Sequence, residues 1–143
     1  MFKKFAVALG LKPQEQEVSE IINIYDAVLA HKAWKKRLFD YLEGSSSEEL
    51  QAEKIRVDHL CVLGRWIHSN GKSRFGQQPV FVKLVDEHAK FHAHAAKVVE
   101  AHQSGNTDQA LEILGGSFNE QSIRTVNCLA KLNAFVEDQQ QNT

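Results

Sequence analysis

Residues Pro79 to His102 read PVFVKLVDEHAKFHAHAAKVVEAH, and in this run Phe81, Leu84, Val85, His88, Phe91, His92, Ala95, Val98, Val99 and His102 recur at the spacing of one helical face. That period predicts a long amphipathic helix, opened by Pro79 in its first turn and stopped by Ser104-Gly105-Asn106. His88 and His92 lie one turn apart on its apolar stripe, where an imidazole buried without a partner would cost about 1–3 kcal/mol. A metal removes that conflict. Two further donors stand elsewhere: His31 on an earlier helical stripe, and Cys61 at the head of Cys61-Val62-Leu63-Gly64-Arg65-Trp66. Three imidazoles and one thiolate would complete a closed tetrahedral shell for zinc, whose structural ligands are N and S donors.

The remaining chain reads as helix as well, with no alternating strand pattern. A first helix is expected from about Gln14 to Glu43, with Ile24, Val28, His31, Leu38 and Leu42 on one stripe, ended by Gly44 and Ser45 to Ser47. A second is expected from about Glu48 to Ser69, irregular at its start, with Val57, Cys61, Gly64 and Ile67 on one face and Asn70-Gly71 as its stop. Lys72 to Gln78 reads as a loop. Thr107 is the expected N-cap of a fourth helix carrying Leu111, Leu114, Phe118, Leu129, Leu132 and Val136, with a kink at Gly115-Gly116 and fraying from Glu137. Long helices on short connections pack as antiparallel neighbours. The expectation is an all-α fold and a single domain: an antiparallel four-helix bundle over about 14–137, a polar tail at 138–143 and an additional N-terminal segment at 1–13. In that segment Phe2, Phe5, Ala6 and Leu9 alternate with Lys3, Lys4 and Lys12, which suits packing on the bundle or a dimer mate as well as docking on a partner or membrane surface.

Three of these motifs together resemble the chemoreceptor zinc-binding domain, a bacterial four-helix sensory module. His31-Lys32-Ala33-Trp34 is similar to its first motif, Cys61 to Trp66 to its Cys-x-apolar-Gly-x-aromatic motif, and His88-Ala89-Lys90-Phe91-His92 to its third, and the similarity runs from about Val18 to Phe135. The resemblance implies zinc held by His31, Cys61, His88 and His92, and Trp34 and Trp66 as packing that fixes ligand rotamers and shields the thiolate. It also implies a homodimer, and a role in reporting cytoplasmic zinc, or an oxidant acting on the zinc-bound thiolate, to chemotaxis or diguanylate cyclase systems. No receptor signalling hairpin or cyclase domain is legible in this chain, so its output is expected to act in trans on a signalling partner, or else to be zinc buffering. A different class, an oxygen-binding di-iron bundle like hemerythrin, would need inward carboxylates beside the histidines.

Composition narrows the classes further. The 143 residues carry 17 basic and 18 acidic side chains, leaving no net field to recruit nucleic acid or anionic lipid. No apolar run approaches the ~20 residues of a membrane span, and Met1 to Lys12 lacks the features of a secretory signal, so a cytoplasmic location without membrane association is expected. Two cysteines do not make a disulfide scaffold. No phosphate loop or nucleophilic triad is legible, and a zinc shell filled by protein leaves no open position for substrate, so no enzyme is expected. Gly64 reads as a site of close backbone approach, since a mid-helix glycine costs about 1 kcal/mol relative to alanine. Asp58 and Asp86 are candidate outer acceptors, with surface ion pairing the simpler fate. His59, His68, His94 and His102 read as surface or structural residues, Cys128 as packing, and Lys35-Lys36-Arg37 as a solvated face. Zinc affinity is expected to fall below about pH 6.5, near the free imidazole pKa.

Overall fold

The computed structural model describes the backbone of residues 13–141 and the side chains of 24–139. Among these residues there are seven helices and no strand. The first long leg is α1, Pro13–Glu43. The second is a string of short helices: α2, Ala52–Arg56; α3, Val62–Ile67; and α4, Asn70–Phe75. The third is α5, Pro79–Gln103, and the fourth is α6, Thr107–Gly115, followed by α7, Ser117–Gln141. Of the expected N-terminal segment at 1–13, residues 1–12 lie outside the described residues and Pro13 opens α1.

Contacts along the legs fix their directions. On α1 and α5, His31 meets His88 and Tyr41 meets His102, so these two run parallel. The second leg opposes α5, because Leu50 accepts from Gln103, Ile55 meets His92 and Cys61 meets His88. The fourth leg opposes it too: Phe91 packs on Phe118, and Glu87 bonds Gln121 and Thr125. The result is the up-down-up-down bundle that the periodicities predict, all-α as expected.

The core has three levels. One apolar cluster gathers around Leu38, Phe91, Val98, Val99 and Phe118, and another around Ile24, Ile67, Phe81, Leu84, Leu129 and Leu132. Between them along every leg lies a polar stretch: His31 on α1, residues 58–61 on the second leg, Glu87, His88 and His92 on α5, and Gln121 and Thr125 on α7. Gln121 donates to the Glu87 carboxylate at 2.7 Å and Thr125 to the Glu87 carbonyl at 3.0 Å, so the α7 side of this layer satisfies itself. The other side faces the histidines.

Several local expectations are corrected. The second leg is not one helix to Ser69: it breaks at Val57, whose backbone is extended, and resumes only after Cys61, which caps α3 from outside it. Gly64 explains the break, since the chain at Asp58 and His59 folds so closely over α3 that a Cβ on Gly64 would overlap the Asp58 carbonyl. The close approach expected at Gly64 is therefore made by the chain's own bend, not by another helix. Asn70-Gly71 opens α4 where a stop is expected, and helix replaces loop as far as Phe75. Asn106, not Thr107, caps α6, its side chain accepting from the Gln109 N–H at 3.1 Å. At Gly116 the helix ends outright instead of kinking, and α7 continues through the expected tail to Gln141. Arg37 is not merely solvated: it bonds Glu48 through two nitrogens and lies 3.9 Å over the Trp34 ring, tying α1 to the start of the second leg.

Gly64→Ala should lower the denaturation midpoint strongly, by the upper end of the ~1–3 kcal/mol that overpacking costs or beyond it, despite alanine's better helix propensity. Gly115→Ala, where a Cβ meets open space, should be neutral or mildly stabilising. Urea melts of both variants read the contrast directly.

Candidate metal centre

The extended backbone of Cys61 turns its side chain back toward α5, while the Gly64 N–H donates to Sγ at 3.2 Å and holds it there. On α5 the four-residue spacing stacks His88 and His92 on one inward face, their ring centroids 4.5 Å apart. From α1, His31 enters edge-on, 5.2 Å from the His88 ring and 5.0 Å from Phe91. Each of these four residues offers one donor atom within 4.8 Å of the others. The three imidazoles are 0–4 % exposed, and Cys61 is half-buried.

Hydrogen bonds decide which nitrogen faces inward. His31 Nδ1 lies 2.7 Å from the Ala27 carbonyl and His92 Nδ1 lies 2.9 Å from the Ile55 carbonyl. A carbonyl only accepts, so both Nδ1 atoms carry the proton and both neutral rings present a bare Nε2 lone pair to the centre. On His88, Nδ1 has only the Asp58 carboxylate near it, at 3.5 Å, long for a hydrogen bond but of the same polarity. Its Nε2 sits 3.1 Å from that of His92 and 3.4 Å from Cys61 Sγ, and His92 Nε2 is 3.6 Å from Sγ. A single S–H proton can serve only one of these nitrogens, and His31 Nε2 is buried with no hydrogen-bond partner.

Lone pairs crowded in this way need a cation. Tetrahedral zinc, with Zn–N of about 2.0–2.1 Å and Zn–S of about 2.3 Å, separates two nitrogens by about 3.3 Å and a nitrogen from sulfur by about 3.6 Å. The three edges among Cys61, His88 and His92 fit that figure, His31 stands with its donor atom within 4.8 Å of theirs, and the Nδ1 carbonyl bonds are the outer contacts that orient ligand imidazoles. Charge is tuned to match. Burial lowers the pKa of His31 to about 4 and, helped by the neighbouring histidines, that of His88 to about 3; His92 is lowered too, again by burial. All three are thus neutral at physiological pH. Burial pushes the Cys61 thiol up against the opposing pull of the Gly64 and Leu63 N–H groups.

Asp58 turns from surface candidate to neighbour of the centre. Burial works against its charge, but His68, 3.2–3.3 Å from both carboxylate oxygens, and His88 outweigh this and lower its pKa. Its backbone carbonyl faces Cys61 Sγ at 3.9 Å. One residue therefore touches two donors, and the Asp three positions before the cysteine was the visible signal. Asp86 pairs at the surface with Lys90 instead. His94 bonds the Lys90 carbonyl, His102 bonds Thr107, His59 is exposed, and Cys128 is buried in the apolar cluster. Trp34 and Trp66 do not seal the thiolate: they flank a groove that reaches Cys61, while Phe91 is the aromatic ring lying against His31 and His92.

Residues 31–99 match the sequence profile of the chemoreceptor zinc-binding domain, a span that starts at His31 and takes in Cys61, His88 and His92. No curated protein and no solved structure matches the chain. No helix among the described residues is long and apolar enough to cross a membrane.

Two outcomes follow from this geometry. Metal-free protein should lose stability as pH falls from about 6.5 toward 4, because the unfolded histidines take up protons there while folded His31 and His88 stay neutral; each contributes on the order of 2 kcal/mol by pH 5. Urea melts between pH 7 and 5 measure that slope, and replacing His31 with Leu should flatten it. Asp58→Asn should weaken metal binding by roughly 10–100-fold, the usual effect of losing an outer partner, with helicity by circular dichroism unchanged.

Proposed function

We propose, from the match of residues 31–99 to the chemoreceptor zinc-binding domain, that this chain holds one zinc ion through His31 Nε2, Cys61 Sγ, His88 Nε2 and His92 Nε2 and works as a zinc-responsive regulatory module. The observation that carries the reading is the convergence of three inward, neutral imidazole nitrogens on one thiol, inside a layer where no hydrogen-bonding arrangement satisfies them. The matched family supports zinc as the ion. Zinc supplies the positive charge that this donor set otherwise lacks, and four protein ligands leave no position for a substrate, which supports a regulatory rather than a catalytic role. The donor group among the described residues contains no carboxylate, so the bridges of a di-iron oxygen carrier are missing.

What the module does with zinc follows from where the donors sit. They come from α1, from the bend before α3 and from α5, so an occupied site ties three legs at one level. A partner that prefers the tied or the untied bundle reads occupancy, by linkage between the two equilibria. We place that partner in trans, as a signalling protein of chemotaxis or cyclic di-GMP type, with the module as a cytoplasmic homodimer. Oxidation of Cys61 would remove a ligand and mimic zinc loss.

Protein purified without a tag or added metal should carry about one zinc per chain, and alanine at His31, Cys61, His88 or His92 should cost more than the 10–100-fold typical of an outer partner. Binding releases chiefly the Cys61 proton, with His31 and His88 already neutral, so affinity should fall at least about tenfold per pH unit from 8 to 5, and those two rings should add no break at the free imidazole pKa of about 6.5. This revises the onset expected from the sequence. Competition titration with a chromogenic chelator at each pH checks it; stoichiometric binding by a His88→Ala or Cys61→Ala variant would contradict the assignment.

A further inference from the structure

The four donors are not equally reachable. A groove of about 700 Å³ runs between α1 and the α3–α4 segment, and of the four donor residues it is lined by His31 and Cys61 but by neither His88 nor His92. Trp34 and Trp66 form part of its sides, with Ala30 on the α1 wall and Ser69 on the facing wall. Among the described residues His88 and His92 instead lie against the α2 backbone at Ile55, the Asp58 bend and Phe91. A space of this size is in the range that admits a small organic ligand, while a folded protein would be excluded.

We infer that this groove is the exchange port of the centre: a small-molecule chelator with oxygen, nitrogen or sulfur donors enters it and takes the places of Cys61 and His31 while His88 and His92 still hold. The inference rests on the zinc reading above. The exchange is a substitution of donor pairs: two bonds from the chelator form as those from Sγ and His31 Nε2 break, zinc stays divalent, and the freed thiolate takes a proton from water. The Ala27 carbonyl that positions His31 belongs to the α1 wall, and the Gly64 N–H that holds Cys61 lies between Leu63 and Arg65 of the facing wall, so the reachable edge is also the one whose orientation the local backbone sets.

The test uses zinc-loaded full chain and follows transfer to 4-(2-pyridylazo)resorcinol by absorbance. In wild type the rate should rise in proportion to chelator concentration, and an iminodiacetate chelator coupled to a large dextran should draw zinc at least tenfold more slowly per chelating group than free iminodiacetate. Ala30→Trp and Ser69→Trp, which fill the groove from opposite walls, should each slow transfer at least tenfold with equilibrium affinity kept within about threefold; Ala33→Trp, exposed on the same helix and outside the groove, should match wild type. Size-independent wild-type transfer, or a rate independent of chelator concentration, overturns the port whatever the variants do. Failure of wild type to load zinc would instead overturn the reading beneath it.

Discussion

Three imidazole nitrogens and a sulfur face one another inside this bundle, and the rest of the structure is arranged around that crowding. Each lone pair is aimed by something behind it: the Ala27 and Ile55 carbonyls fix two tautomers, and Asp58 stands behind the third ring. Without a cation the layer holds at least one buried nitrogen with no partner, a cost of about 1–3 kcal/mol. Packing alone would have placed leucines here. The apolar clusters above and below are complete, which marks this level as retained for its chemistry.

The two sides of the polar layer differ in a way that bears on function. Toward α7, Glu87 is saturated by Gln121 and Thr125, so α5 and α7 are locked in register next to His88 whatever the state of the donors. Toward α1 and the second leg the layer is bridged, among the described residues, by contacts that run through the donors themselves, such as His92 to the Ile55 carbonyl and His88 beside Asp58. On the proposed reading, zinc occupancy is therefore felt by α1 and by the Asp58–Cys61 bend, while the α5–α7 pair acts as the fixed frame. That asymmetry also leaves the groove on the α1 side.

Much of this was legible because helical period and donor chemistry speak together. A histidine pair on the apolar stripe of Pro79 to His102 can be read from spacing, and so can the inward placement of His31 seven residues before Leu38. The second leg was not legible as drawn. Its break depends on the Asp58 carbonyl pressing on Gly64, a contact between backbone atoms that no residue-type pattern encodes beyond the glycine itself. The same holds for the carbonyls of Ala27 and Ile55, whose role comes from position alone. Asn106 displaced Thr107 as cap because either side chain can satisfy the first turn, and the chain geometry at Gly105, with its φ of 88°, decides between neighbours. Trp34 and Trp66 border a space that reaches Cys61 and do not close it, a distinction that apolar rings near a donor motif do not encode.

The central claim is the identity of the first shell, and X-ray absorption at the zinc K-edge tests it most directly on the protein as purified. The account requires one sulfur at about 2.3 Å and three nitrogens at about 2.0–2.1 Å, with the multiple-scattering pattern of imidazole rings. A shell of five or six light atoms without sulfur, or one with two sulfurs, would contradict it.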